Sequence, residues 1–339
     1  MSSATKHLDN LWSRGKDFLG VRYAILGGAM TWVSERNLVS AISNAGGFGV
    51  IASGAMSPSL LRAEIQATQA LTQKPFGVNL ITLHPQLMDL ITVCVEESVS
   101  HVVLAGGLPP AQAITKLKDE GLKVICFAPA LVIAKKLSKL GVDALVIEGM
   151  EAGGHIGPVS TSVLIQEIIP HIKEIPIFVA GGIGRGEAIV SYLEMGAAGC
   201  QLGTRFVCAT ESIAHPKFKK AFIKAQARDA IISPQLDPRF PVIPVRALAN
   251  QASQEFLAYQ RELIEKVDRQ ELEAKEAQLK IEHFWAGSLK RAVIEGDIER
   301  GSIMAGQSVG MVTHEQSVQE VIEELLLQAK QSVLSRIAH

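Results

Sequence analysis

The chain has 339 residues, with 33 Lys and Arg against 34 Asp and Glu, so its net charge is −1. That balance, without a basic stripe interleaved with aromatics, excludes nucleic acid as the expected partner. No run of about 18 apolar residues argues for a membrane span, and Met1–Phe18 lacks the apolar centre of a signal peptide, so a cytoplasmic protein is expected, with one large α/β domain and an appendage.

Cys94, Cys126, Cys200 and Cys208 show no C-x-x-C spacing. They read as small buried hydrophobes, not as a disulfide framework or a metal site. Short β-type runs then recur along the chain: Tyr23–Met30, Gly47–Ser53, Phe76–Leu80, His101–Ala105, Lys123–Phe127, Ala144–Glu148, Ile177–Ala180 and Gly199–Gly203. Their starts are roughly 20 to 30 residues apart, the length of one strand plus one helix.

Helical patterns fill the gaps. Glu35–Ala45 puts Leu38, Val39, Ile42 and Ala45 on repeating turns and stops at Gly46-Gly47. Pro58–Leu71 opens on a proline. Pro109–Glu120 and Ala130–Leu140 end at Gly121 and Gly141, Thr161–Ile172 precedes Pro176, and Glu187–Glu194 runs up to Gly196. Eight strands alternating with helices predict an α/β fold, a closed (β/α)8 TIM barrel over residues 1–224. An open doubly wound sheet is the rival, but eight regular units and no early G-x-G-x-x-G favour closure.

After Arg205 the pattern changes. His215–Arg228 reads as a helix, Pro234–Pro244 as a proline-rich connection and Ser253–Phe284 as one solvated amphipathic helix. Gly301–Gly310 is a small-residue break before a last helix at Ser317–Ile337. Residues 225–339 are therefore expected to form a small α-helical C-terminal appendage.

Chemistry-bearing residues gather at the C-terminal ends of the predicted strands. Gly27-Gly28-Ala29-Met30-Thr31-Trp32 closes the first and can lay backbone amides under a flat ring; a plain strand-to-helix turn fits it equally well. Asn79 ends the third as a polar group at the barrel mouth. Glu148-Gly149-Met150-Glu151-Ala152-Gly153-Gly154-His155-Ile156-Gly157 follows the sixth, with two carboxylates that can accept ligand hydrogen bonds or orient the loop. His155 can exchange a proton near neutral pH. Ala180-Gly181-Gly182-Ile183-Gly184 follows the seventh, and Gln201-Leu202-Gly203-Thr204-Arg205 the eighth. Loops after strands seven and eight of such a barrel form a recurrent phosphate site, so Gly181, Gly182, Gly203 and Thr204 together predict a phosphate-bearing ligand. His84, Lys74 and His101 read as surface residues, and Trp32 and Trp285 as packing that can wall a pocket.

These segments, with Ala45-Gly46-Gly47-Phe48-Gly49, Lys74-Pro75-Phe76-Gly77-Val78-Asn79, Ala209-Thr210-Glu211-Ser212 and Gly301-Ser302-Ile303-Met304-Ala305-Gly306-Gln307, resemble the FMN-dependent nitronate monooxygenase/2-nitropropane dioxygenase superfamily. Within it the likeness is greatest to the enoyl-acyl carrier protein reductase II branch. The resemblance implies FMN at the barrel mouth: Gly28, Ala29 and Met30 against the ring, Asn79 at a ring edge or the ribityl chain, and Glu148, Gly153 and Gly154 on the tail side. Ala180, Gly181, Gly182, Gln201, Gly203 and Thr204 would surround the phosphate, while Met304, Gly306 and Gln307 fold back over the pocket.

The branches differ over His155. In the monooxygenases the matching His removes an α-proton from a nitroalkane or contacts the nitronate. In the reductases NADH or NADPH reduces FMN, hydride passes to an enoyl thioester, and His155 orients substrate or supplies a proton. The Gly28-Ala29-Met30 loop and the Gly301–Gln307 tail resemble the reductases. Nitronate monooxygenase and NAD(P)H:quinone reductase are the alternatives, as is a flavin-free barrel for a phosphorylated metabolite. The substrate expected is a small molecule or an acyl-carrier-protein-bound chain, and the likeness is compatible with a homodimer.

Overall fold

The structure is a computed structural model that describes residues 3–239 and 244–337. Part of the Pro234–Pro244 connection and the side chain of Trp285 lie outside the described residues.

Eight parallel strands form the core: β1 Ile25–Gly27, β2 Gly49–Ala52, β3 Phe76–Ile81, β4 His101–Ala105, β5 Lys123–Phe127, β6 Ala144–Glu148, β7 Ile177–Ala180 and β8 Gly199–Leu202. From β2 to β8 each pairs with its sequence neighbour, and β1 pairs with β8. A parallel bridge from Leu26 to Phe48 joins β1 to the start of β2, so the sheet closes. The predicted TIM barrel is the observed one. Strands buried on both faces read as near-continuous apolar runs, which is why their positions were visible in the sequence. Local signals set the helix starts: the Ser57 hydroxyl accepts from Leu60 N before Pro58–Leu71, and the Glu35 carboxylate accepts from Asn37 N and Leu38 N before Arg36–Asn44.

Two glycines identify the inner face. A Cβ on Gly27 would lie 2.5 Å from Ile42 of the flanking helix, and one on Gly49 would lie 2.3 Å from Val39 O. Both positions therefore point outward. Alternation turns Leu26, Val50 and Ala52 inward, and the register carries that face to Gly77, Asn79, His101 and Gln201.

The strand-start end of the barrel is stoppered. Phe18, from the helix Ser13–Leu19, meets Phe178 at 6.1 Å and the His101 ring edge-on at 5.1 Å, while Phe48 meets His101 at 4.9 Å. His101 is thus buried, correcting its surface reading. Its Nε2 donates to Phe18 O (3.0 Å) and Nδ1 contacts Ser100 Oγ (2.8 Å). Burial lowers its pKa from 6.5 to about 4, against a smaller opposing effect of the Phe18 bond. Between those values the unfolded chain binds a proton that the folded one refuses. Stability should fall as pH drops through that window, by about 3 kcal/mol at the acid end. Urea midpoints between pH 7 and 4 should show a flatter slope for His101→Gln than for wild type; equal slopes would remove His101 as the cause.

Several elements differ from expectation. The N-terminal segment forms two helices, Ser3–Leu11 and Ser13–Leu19, and Leu87–Glu96 supplies a further helix after β3. The single helix expected over Ser253–Phe284 is two, Gln251–Asp268 and Ala274–Val293, with Gln270 at φ +59° between them. Folding back buries Phe256, Leu263, Ala277 and Ile281 in a small core that one solvated helix would leave exposed. A three-stranded antiparallel sheet, Ala230–Ile232, Val245–Leu248 and Gly154–His155, links this part to the loop after β6. The last helix, Val318–Ile337, packs on the barrel helix Gly186–Glu194 and on Ser3–Leu11. All four cysteines are buried, as expected, and burial raises each thiol pKa to about 12.

Candidate active site

The open end of the barrel carries an inward-facing polar set. Leu26 pairs with Gln201, Gln201 with Ala180 and Ala180 with Glu148, so Gln201, Ala180 and Glu148 share the inner face with Asn79 across the mouth. Asn79 is buried, its Nδ2 donating to Val103 O at 3.3 Å. The Glu148 carboxyl accepts no hydrogen bond and forms no ion pair among the described residues, and burial raises its pKa from 4.5 to about 7.

The loop after β1 is braced against the loop after β8. Gly28 N donates to Leu202 O at 2.8 Å; the Ser34 hydroxyl donates to Gly28 O and accepts from Met30 N, both at 2.9 Å. The Gln201 side chain lies 3.5 Å from where a Cβ on Gly28 would stand, and Met30 Sδ lies 3.4 Å from a Cβ on Gly203. Trp32 takes φ +68°, a strained conformation for a bulky residue, and Lys290 Nζ lies 5.4 Å above its ring.

The loop after β6 is held from three sides. The Glu151 carboxylate accepts from Thr161 N (3.0 Å) and Oγ1 (2.9 Å), which assigns it to orienting the loop. Arg246, buried in the small sheet, donates through Nε to Met150 O at 3.0 Å. The segment Met304–Gln307 crosses as a strap: Gln307 N donates to Glu151 O at 2.9 Å and Gly306 N to Thr204 Oγ1 at 3.1 Å. Met304 Sδ lies 3.5 Å from a Cβ on Gly154, and Met304 bridges to Ala247. His155 is exposed at the rim, on the sheet strand that pairs with Val245.

At the ends of β7 and β8 the backbone offers donors. Gly181 and Gly182 take φ of +100° and +70°, open to glycine at little cost, and their N–H groups and that of Gly203 reach no acceptor among the described residues. Buried or half-buried N–H groups left this way are rare without a ligand or water, and successive free amides form an anion-binding nest.

The structure therefore brings together Gly28, Ala29 and Met30, then Gln201, Gly203 and Thr204, then Gly153, Gly154, Met304, Gly306 and Gln307, with Asn79, Glu148, Ala180, Gly181 and Gly182 at the same mouth. Arg246, Thr161 and Ser34 were missed. Ser34 and Thr161 follow glycine-rich loops at the starts of helices and offered a weak signal; Arg246 sits in a stretch without periodicity and offered none. A cleft of about 440 Å³ lined by Arg22, Lys74 and Glu323 lies at the opposite, stoppered end. No group of three or more His, Cys, Asp or Glu placed to hold a metal occurs among the described residues, and no helix there is long and apolar enough to cross a membrane.

Comparison with known proteins matches residues 13–328 to the nitronate monooxygenase family model. FabK from Thermotoga maritima superposes with a TM-score of 0.86 at 37% identity, covering 96% of this chain and 98% of that one. A Rhodococcus jostii relative named (3aS,4S,5R,7aS)-5-hydroxy-7a-methyl-1-oxo-octahydro-1H-indene-4-carboxyl-CoA dehydrogenase is 35% identical over 221 residues, 65% of this chain and 62% of that protein's length. A probable nitronate monooxygenase of Staphylococcus saprophyticus is 27% identical over 95% of this chain and 98% of its own.

Proposed function

Because this chain belongs to the nitronate monooxygenase family, and is a flavin oxidoreductase by that membership, we propose that it holds FMN at the barrel mouth and reduces the C=C bond of an enoyl thioester with NADH or NADPH. The observation that carries the reading is the set of unpartnered N–H groups on Gly181, Gly182 and Gly203, beside a strap that leaves no room for a Cβ on Gly153 or Gly306. Such a cradle fits a dianionic phosphate. FMN bound there would supply the hydride chemistry.

The chain's own residues divide the remaining work. Gly181, Gly182 and Gly203 would donate to the phosphate, and Thr204 is anchored beside them by Gly306 N. Gly28 and Met30, fixed by Ser34, present a flat wall for a ring. Asn79 and Gln201 offer amides from the inner face. His155, exposed at the rim, would orient a thioester or hold a proton for it. Support for a thioester comes from the likeness to FabK, an enoyl-acyl carrier protein reductase II, and from the CoA thioester in the name of the Rhodococcus relative. The carrier, acyl carrier protein or CoA, is part of the proposal.

An anaerobic titration tests it. The purified protein should be yellow, bleach on adding NADH or NADPH, and regain colour on adding crotonyl thioester. Failure of both nicotinamides to bleach it, with rapid oxygen-dependent turnover of propyl nitronate, would move the assignment to nitronate monooxygenase. That second reading is favoured by the accessibility of His155 and by the Staphylococcus relative. On it, His155→Ala should lower nitroalkane turnover by about 10²–10⁴ while sparing the preformed nitronate; equal losses on both would exclude proton abstraction.

A further inference from the structure

We propose that the cleft at the stoppered end of the barrel is a second ligand site, which takes an amphipathic organic monoanion: a single carboxylate or sulfonate on an apolar body. The inference is independent of the flavin reading above and concerns the opposite end of the barrel.

Three stretches of chain and one helix build the cleft. Residues 20–23 lead into β1, residues 43–47 into β2 and residues 74–75 into β3, so all three lie at strand starts. The last helix closes the remaining side with Ile322, Glu323 and Leu326. The wall is tightly packed. Gly46 takes φ +91°, and a Cβ there would stand 3.1 Å from Arg22 Cβ and 3.3 Å from the Tyr23 ring. That ring is braced from behind by Trp12, at 5.9 Å. The volume, about 440 Å³, falls within the roughly 300–1,000 Å³ of small-molecule sites.

Most polar groups of the lining are already used. The Ser43 hydroxyl donates to Pro75 O at 3.0 Å, Asn44 Nδ2 donates to Leu71 O at 3.2 Å, and Gly46 N and Gly47 N donate to Ser43 O and Ile42 O. Two cations are the exception. The Arg22 guanidinium lies 5.0 Å from the centre of the Tyr23 ring, yet neither it nor Lys74 forms an ion pair or side-chain hydrogen bond among the described residues. Glu323 lines the same cleft but accepts from Gln319 Nε2 at 2.6 Å instead.

Two cations against one carboxylate leave the cleft with a net charge of +1. One negative charge balances that; a dianion would meet Glu323 with charge to spare. The rest of the lining is apolar, with Ile322 and Leu326 buried and Tyr23 and Pro75 half-buried. An anionic head between Arg22 and Lys74 with an apolar body along the last helix therefore uses what the lining leaves open. Such a ligand touches the strand starts and the last helix together, so it should staple them and stabilise the fold.

The test uses the full chain at pH 7.5, with octanoate, octan-1-ol and inorganic phosphate as probes in equilibrium dialysis. Octanoate should bind saturably at one per chain, and the other two at least about tenfold more weakly. At tenfold excess over Kd it should raise the melting temperature by about 3 °C. Arg22→Gln and Lys74→Gln, both at exposed positions, should melt like wild type without ligand and bind octanoate about fivefold more weakly. Lys290→Gln, beside Trp32 at the mouth, should bind it as wild type does. Octanol binding as well as octanoate, or phosphate binding as well, would overturn the ligand class. Loss in Lys290→Gln with none in the other two variants would put the anion at the mouth and overturn the site, as would no saturable binding below about 10 mM. None of these outcomes touches the flavin titration.

Discussion

Gly153→Ala should give a folded barrel that retains flavin about thirtyfold less tightly than wild type. The added Cβ would stand 2.5 Å from Gly306 N and 2.6 Å from the Ala305 carbonyl carbon. Those are backbone atoms, so the Met304–Gln307 strap has to move rather than a side chain swing aside. Two of its hydrogen bonds tie it to the loops after β6 and β8, Gln307 N to Glu151 O and Gly306 N to Thr204 Oγ1. At about 1 kcal/mol net for each, their loss is about 2 kcal/mol. Gly157→Ala is the control: it lies in the same loop, and a Cβ there meets nothing within 4 Å. Flavin affinity and urea midpoints of the two variants should separate cleanly. If Gly153→Ala binds flavin as Gly157→Ala does, the strap takes no part in the site.

That strap shows how far the sequence could be read. The strands and the glycine-rich bends after β6, β7 and β8 were legible because a strand buried on both faces writes an uninterrupted apolar run, and a close backbone approach excludes any Cβ. Met304, Gly306 and Gln307 were named through resemblance alone, since nothing in the spacing of residues 301–310 ties them to Gly153. His101 was misread because its partner Phe18 O lies 83 positions away, outside any local window. The strand Gly154–His155 is two residues long and exists only through Val245 and Arg246, so it has no period of its own. The helix pair at 251–293 failed for another reason. A charged amphipathic pattern says which face is wet but not where the chain turns back to cover the dry one. Tertiary partners, not propensity, decided each of these positions.

Arg205→Ala should cost about 3 kcal/mol and lower the melting temperature by roughly 6 °C. Arg205 follows β8 with its side chain 4% exposed, and its guanidinium ties the barrel to the C-terminal part. One nitrogen donates to Met311 O and the other to Glu324 Oε2 at 2.9 Å. Truncation leaves that carbonyl without its donor and strips Glu324 of its cation. The partial exposure of Glu324, 36%, places the loss at the lower end for broken buried pairs. Arg205→Lys should recover little, because one ammonium cannot reproduce a planar fork spanning two acceptors. The site should feel the change as well. Met311 packs where a Cβ on Gly184 would stand, its Sδ 2.3 Å from that position, so a displaced Met311 frees the bend whose Gly181 and Gly182 amides face the proposed phosphate. Thermal melts and FMN titrations of wild type, Arg205→Ala and Arg205→Lys should therefore move together. A lowered melting temperature with unchanged flavin affinity would confine Arg205 to holding the last helix, and unchanged melts would dismiss the tie altogether.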